Sequence, residues 1–266
     1  SMPMKMQKKI LLTLAGFDPT SGAGASLDLD VFRSQGFRGM GILTSLTVQN
    51  TQSVERVFPI QPKLILEQYR SLRKDVKLGG IKVGMLGSKK NIAPVARILE
   101  ENADLPRVVD PVFRSSSGTW LLEKDAIPGF ARRIRDRATL ITPNVSEAEW
   151  ISGIKVRSVR DMEKGAEAIH SLTHVPCLVT GGCFGSRVTD VLFDGKAYFR
   201  YTQRKLRRKV HGTGCFLSAL LLCLLASGLS LEAACSQAVR TTREAIKGAE
   251  AVGQGQQLIA CPLEKV

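Results

Sequence analysis

The chain reads as an α/β protein built on a largely parallel sheet with helices on both faces, and three observations predict it. Short apolar, strand-like runs alternate with helical patterns from one end of the chain to the other, the signature of a parallel sheet covered on both sides. Polar, glycine-bearing segments follow the strand-like runs, at the edge where an open parallel sheet binds its ligand. Of the 266 residues 44% are apolar, ample for a buried core, and no repeat, low-complexity stretch or linker interrupts them. Residues 9–266 are therefore expected to form a single domain behind an N-terminal tail at 1–8.

The elements follow in order from periodicity and turn chemistry. Residues 10–15 form an apolar strand and 24–34 a helix; 41–46 is strand-like and 62–76 helical. A strand at 80–83 precedes a helix at 90–102, and a short buried strand at 107–110 precedes a helix at 124–136. A strand at 139–142 leads into two helices, 145–152 and 159–172, and then a strand at 177–180. Runs 188–193 and 196–202, joined by Asp194-Gly195, form an antiparallel hairpin, because Asp-Gly suits the tight turn that matches strand twist. Two long helices, from Gly214 and from Ser230, close the fold.

Composition narrows the class further. No apolar run reaches the roughly 18–20 residues of a membrane span, so residues 216–226 are expected to be a helix buried in protein. The lysines of residues 1–9 run straight into a strand, leaving no room for a signal-peptide apolar region, and Ser1-Met2 resembles a tag remnant. Six cysteines, at 177, 183, 215, 223, 235 and 261, include no C-x-x-C pair, which suits reduced thiols in a cytoplasmic protein. The charge balance is 38 − 24 = +14, densest at Arg204, Lys205, Arg207, Arg208 and Lys209. With no aromatic interleaving or nucleic-acid motif, this run reads as a solvated flap that attracts anionic substrates, and nucleic acid is not the expected partner.

His211-Gly212-Thr213-Gly214-Cys215, followed by an apolar run, carries the strongest chemical signal. Two glycines in a tight turn that opens a helix gather backbone N–H groups, and the positive end of the helix dipole, around one point. That makes an anion pocket from Gly212, Thr213 and Gly214, with Cys215 on the first helical turn, where the same field favours a thiolate. His211 reads as shaping the turn. Asn144 and Glu147 form a helix cap with Asn144 as N-cap, or else Glu147 joins Asp110 in organising a hydrated Mg²⁺. Residues 16–25 are a flexible turn before a helix, or else Gly22 and Gly24 let backbone approach a ligand closely. Asp28 is either a surface carboxylate or a substrate acceptor, and Gln49 offers a donor and an acceptor side by side, matching an aminopyrimidine. Met85 and Val112 are core residues or the walls of a flat site.

With these motifs in place, the chain resembles the hydroxymethylpyrimidine/phosphomethylpyrimidine kinases, the thiamine-pathway branch of the ribokinase-like superfamily. The matching segments are Leu14 to Pro19 with Gly22-Ala23-Gly24, Leu46 to Thr51, Lys82 to Leu86, Val109 to Val112, Ser117-Gly118, Ile141 to Asn144 with Glu147-Ala148, Gly181-Gly182 and His211 to Cys215. Cys rather than Asp after Gly-Thr-Gly favours this branch over the sugar kinases. The resemblance implies a ribokinase-like three-layer α/β/α sandwich with a mostly parallel central sheet. It implies pyrimidine binding by Gly16, Asp28, Gln49, Met85 and Val112. Catalysis would fall to Gly212, Thr213, Gly214 and Cys215. ATP would meet Asn144, Thr180, Gly182 and Gly212, and Mg²⁺ would meet Asp110 and Glu147. A homodimer is implied as well. The family usually carries lysine where this chain has Thr180.

The expected function is ATP-dependent phosphorylation of hydroxymethylpyrimidine, of its monophosphate, or of both. The alternatives are a pyridoxine/pyridoxal-type kinase, whose substrate is also a flat ring bearing a hydroxymethyl group, and a non-catalytic ligand-sensing paralogue.

Overall fold

The computed structural model describes residues 8–261; of the expected tail at 1–8, residues 1–7 lie outside that span. The chain forms β1 (Ile10–Phe17), α1 (Gly24–Ser34), β2 (Arg38–Gln49), β3 (Val54–Pro59), α2 (Pro62–Arg73), β4 (Leu78–Val83), α3 (Ile92–Glu101), β5 (Arg107–Val109) and α4 (Ile127–Ile134). It continues through β6 (Leu140–Ile141), α5 (Val145–Ser152), α6 (Val159–Thr173), β7 (Cys177–Phe184), β8 (Arg187–Phe193), β9 (Tyr198–Arg204), β10 (Val210–His211), α7 (Thr213–Ala226), α8 (Leu231–Lys247) and β11 (Gln257–Leu258).

Nine strands form one sheet in the order β3-β2-β1-β4-β5-β6-β7-β8-β9. The run from β2 to β7 is parallel, while β3, β8 and β9 add antiparallel edges. Strand side chains alternate between the faces with period two. Leu12, Leu14, Val109, Ile141 and Val179 join one core with the helices α2 to α6, whereas Leu11, Val108, Leu140 and Leu178 join the other with α1, α7 and α8. The result is the expected α/β/α sandwich.

Helix α7 explains its own composition. It packs against α1, α8, β4 and β5, and Phe216 through Leu224 are all buried, so it needs no polar face. No helix among the described residues is long and apolar enough to cross a membrane.

The departures from expectation have local causes. β3 is absent from the predicted elements because its VERVFP sequence is exposed along most of its length, so no core-facing pattern marks it. β7 runs past residue 180 to Phe184 because β8 pairs back along it, with a register shift between Val179 and Gly182. The hairpin forms, but its connection is the four residues 194–197 rather than Asp194-Gly195 alone, with Phe193 paired to Tyr198, because Asp194 Oδ1 accepts the N–H groups of both Lys196 and Ala197, each at 2.8 Å.

β1 lies between β2 and β4, so the chain leaves it in opposite directions and opens a crevice at the strand ends. A strap at residues 249–259 is tied to segments on the rim of that crevice. β11 pairs with β10, the Gln256 N–H donates to the Thr51 carbonyl at 2.9 Å, and the Ile259 N–H donates to the His211 carbonyl at 3.3 Å.

Candidate active site

The crevice is lined by the ends of β1, β2 and β4, the turns after β5 and β6, Thr180 of β7, and the turn into α7. Two glycine turns meet backbone to backbone on one wall. Gly212 has φ +88°, and a β-carbon there would stand 1.8 Å from the Gly22 carbonyl oxygen. Gly24 has φ +67°, and its β-carbon would stand 2.3 Å from the Gly16 carbonyl oxygen. Only glycine satisfies both the conformation and the space. Asp18 fastens the two turns together: its Oδ1 accepts from the Thr20 N–H and hydroxyl, each at 2.8 Å, and its Oδ2 lies 2.8 Å from His211 Nε2. His211 thus anchors the turn, as its place in the motif suggests.

Gly212 is the N-cap of α7 with no side-chain cap, and the first intrahelical bond runs from the Phe216 N–H to the Gly212 carbonyl at 2.8 Å. The N–H groups of Thr213, Gly214 and Cys215 are therefore free of helical partners, and all three residues line the crevice. With the helix dipole behind them they form an anion hole. The Cys215 thiol departs from the sequence expectation. It keeps a partial opening onto the crevice, yet burial pushes its pKa up to about 12, Lys82 opposing. Desolvation of the thiolate outweighs the helix-end field, and the free protein holds a neutral thiol.

Asp28 is also corrected. It is fully buried, off the crevice wall, bonded by Lys82 Nζ at 2.5 Å and by Thr13 Oγ1 at 2.7 Å. Burial raises its pKa and Lys82 pulls it back down. Lys82 itself borders the crevice from β4. Desolvation would lower its pKa, but the fields of Asp28, Cys215 and Asp110 raise it on balance, so it stays an ammonium.

Asp110 and Glu147 stand together on the floor. The Ser218 hydroxyl of α7 donates to Asp110 Oδ2 at 3.0 Å. Glu147 closes the predicted capping box: its Oε1 accepts the Asn144 N–H at 2.9 Å, and Asn144 Oδ1 accepts the Glu147 N–H at 2.8 Å. Its Oε2 accepts the Phe113 N–H at 3.3 Å. Burial, against the pull of Lys82, pushes the Asp110 pKa up to about 6. Burial and then the Asp110 charge raise Glu147 well above its ordinary value. Two hard-oxygen donors that resist sharing a negative charge suit a divalent cation of the Mg²⁺ type, which needs only one or two carboxylates beside water and phosphate oxygens. No group of three or more His, Cys, Asp or Glu able to hold a metal occurs among the described residues, so the pair would hold an open, hydrated ion.

Gly16, Gln49, Met85 and Val112 all line the crevice, as do Asn144 and Thr180. Thr47 Oγ1 lies 2.7 Å from Gln49 Oε1 and orients that amide. A β-carbon at residue 16 would meet Ser45 Oγ at 2.8 Å and Met85 Sδ at 2.9 Å. Gly182 stands elsewhere: its β-carbon would meet Met162 Sδ at 2.2 Å, so its role is to let β7 pack on α6. The basic run also stays outside. Arg207, Arg208 and Lys209 line a separate shallow groove, and Arg208 Nη1 donates to the Lys247 carbonyl at 2.7 Å. Sequence reasoning assigned no site role to Lys82, Asp18 or Arg114. For Lys82 a signal existed, since a single lysine inside an apolar strand must find a buried carboxylate.

What the strand ends assemble is a crevice with unpaired helix-start N–H groups on one side, on the ribokinase-like α/β fold of a small-molecule kinase. The chain belongs to the phosphomethylpyrimidine kinase family, whose sequence profile matches residues 18–260. The hydroxymethylpyrimidine/phosphomethylpyrimidine kinase of Aquifex aeolicus is 35% identical over 252 residues, which cover 94% of this chain and 99% of that one. The crystal structure of phosphomethylpyrimidine kinase from Clostridium difficile 630 superposes with a TM-score of 0.78 at 33% identity, over 90% of this chain and 100% of that one. An ADP complex of Bacillus subtilis pyridoxal kinase superposes with a TM-score of 0.87 at 29% identity, over 95% and 97% of the two chains.

The Asp110 shift has a pH consequence. Its carboxyl is harder to ionise in the folded protein than in the unfolded chain, so the folded state holds more protons between the ordinary value of 3.8 and about 6. Its contribution to stability therefore falls as pH rises through that window. Asp110→Asn is expected to be more stable than the parent at neutral pH, the gap closing toward pH ~4. Asp190, also lifted to about 6 by burial, is common to both proteins and cancels. Thermal unfolding against pH checks this, and a pH-independent gap would show that Asp110 ionises normally.

Proposed function

We propose that the protein transfers the γ-phosphoryl group of ATP to hydroxymethylpyrimidine, to its monophosphate, or to both, in thiamine biosynthesis. The observation that carries the reading is the meeting, in one crevice, of the three free N–H groups of residues 213–215 with a wall of Gln49, Met85 and Val112. One side handles phosphate, and the other suits a flat ring with adjacent donor and acceptor atoms. The names of the relatives, and the ADP bound by the Bacillus subtilis neighbour, agree with it.

The transfer is an in-line displacement. The acceptor oxygen bonds to the γ-phosphorus as the bond to the β,γ-bridging oxygen breaks and ADP leaves, and the proton of an alcohol acceptor passes to water. The amides of residues 213–215 take up charge on the transferring oxygens, at no reorganisation cost because the helix start is fixed. Cys215, a neutral thiol in the free protein, orients the attacking group rather than waiting as a thiolate. Asp110 and Glu147 are the residues that would hold Mg²⁺, which supplies neutralisation of phosphate charge when bound. Asn144 and Thr180, linked by a backbone bridge, form the nucleotide side.

In this reading residues 9–266 act as one domain, in the cytoplasm, where six free thiols are at home. The protein is a homodimer. Phe17, Leu46, Val48 and Phe58 are each at least 36% exposed, and Phe17 and Phe58 flank Leu46 in the sheet, leaving an apolar face for a second copy. A monomeric mass by sedimentation would remove that part of the reading.

A coupled assay for ADP is expected to show turnover of the pyrimidine or its monophosphate well above that of pyridoxal; the reverse order would reject the substrate assignment. Cys215→Ala should lower kcat about 10²–10⁴-fold while the KM for ATP holds, because the amides that bind phosphate survive the change. Unchanged turnover would reduce Cys215 to a helix-start residue. Glu147→Gln keeps the acceptor for the Asn144 N–H but loses the one for the Phe113 N–H, so stability should fall by about 1–3 kcal/mol while the Mg²⁺ concentration for half-maximal rate rises. A large stability loss with normal Mg²⁺ dependence would leave Glu147 as a cap alone.

A further inference from the structure

Three side chains able to carry positive charge line the crevice: Lys82, Arg114 and His211. Two of them face a carboxylate, Lys82 with Asp28 at 2.5 Å and His211 with Asp18 at 2.8 Å. Arg114 has no carboxylate within ion-pair distance among the described residues, and it is exposed. Its guanidinium is nonetheless held in place. Nε donates to the Gly118 carbonyl at 3.0 Å, Cζ lies 5.6 Å from the Trp120 ring centroid, and residues 114 and 120 form an antiparallel bridge. Gly118 has φ +100°, and a β-carbon there would stand 3.3 Å from Arg114 Nη2, so the turn is shaped around the guanidinium. The turn is itself tied down: Thr119 Oγ1 donates to the Val54 carbonyl at 3.0 Å, and Ser116 Oγ donates to Gln256 Oε1 at 2.8 Å.

A guanidinium fixed at a cavity wall with its Nη groups turned to no carboxylate is prepared for an anion that arrives with the ligand. The site has use for one. Thr180 brings no charge to the nucleotide side, the basic run at 204–209 lies outside the crevice, and Lys82 is already matched by Asp28. Ser115, which borders the crevice beside Arg114, adds a hydroxyl that can donate to a phosphoryl oxygen. We propose that Arg114 is a phosphate-binding, specificity-determining residue that receives phosphoryl oxygens of a bound reactant. The source is either the monophosphate of the pyrimidine substrate or the phosphate chain of the nucleotide. The proposal rests on the kinase reading above.

The test compares the parent protein with Arg114→Ala and Arg114→Lys, using hydroxymethylpyrimidine and its monophosphate as acceptors, with ATP varied against each. Loss of a charge-assisted contact should cost about 10- to 150-fold in the affected KM. Lysine should restore part of it, since it keeps the charge but not the planar fork. If Arg114 meets the substrate's phosphate, the preference for monophosphate over free alcohol, as a ratio of kcat/KM, collapses in the alanine variant. If it meets the nucleotide, that ratio holds and the KM for ATP rises with both acceptors. A ratio and a KM for ATP both within about threefold of the parent would overturn the proposal. A second arm needs no turnover. Inorganic pyrophosphate should raise the Tm of the parent and do so less for the alanine variant. Equal stabilisation, or none of the parent, would count against Arg114. A parent that phosphorylates neither pyrimidine would defeat the kinase reading, while the pyrophosphate arm would still judge the arginine.

Discussion

The close approach of two backbone turns, Gly212 against Gly22 and Gly24 against Gly16, sets the position of everything else at the strand ends. At 1.8 Å and 2.3 Å from the opposing carbonyl oxygens, no β-carbon fits at either place. The N-terminus of α7 is thereby pressed against the turn that follows β1. Asp18 and His211 fasten the contact at 2.8 Å. Because α7 is buried along nearly all its length, the amides at its start cannot drift without disturbing the core beneath them. An anion hole is effective when its donors are fixed before the charge arrives, and here the fixing comes from the hydrophobic core.

Charge is arranged around that frame in matched and unmatched groups. Lys82 and Asp28, both with fully buried side chains, neutralise each other below the crevice. Lys82 eases negative charge at Asp110 and Cys215, but burial outweighs it at both. On the floor, burial and then the Asp110 charge raise the cost of ionising Glu147. Burial decides the state of Cys215, whose helix-start position by itself would suggest a thiolate. Desolvation in a closed site is the larger effect.

The layer order and most of the elements were legible in the chain because strands with both faces buried are apolar throughout, and α7 is apolar all round for the same reason. β3 was not, since an exposed edge strand such as VERVFP has no face that must be hydrophobic. At the site, the glycine turns and the cap of Asn144 and Glu147 were legible, because those local geometries demand particular residue types. Asp28 and Gly182 were misplaced for a shared reason. Which neighbour a side chain meets, Lys82 in one case and Met162 in the other, is set by strands and helices far away in sequence. Arg114 was passed over because an exposed arginine is ordinary until its surroundings show that it has been given a fixed pose and no counter-charge.

The strap at residues 249–259 carries a consequence for how the protein comes into being. β10, at the entrance to the glycine turn that opens α7, finds its strand partner among the described residues in β11, 47 positions later, in the pairing of Val210 with Gln257 and His211 with Leu258. On a ribosome the sheet and most of its helices can form while that partner is still inside the exit tunnel, since chains fold from the N-terminus as they emerge. The rim of the crevice cannot. The scaffold is therefore laid down first, and that rim takes its final shape only once residues 257 and 258 have emerged.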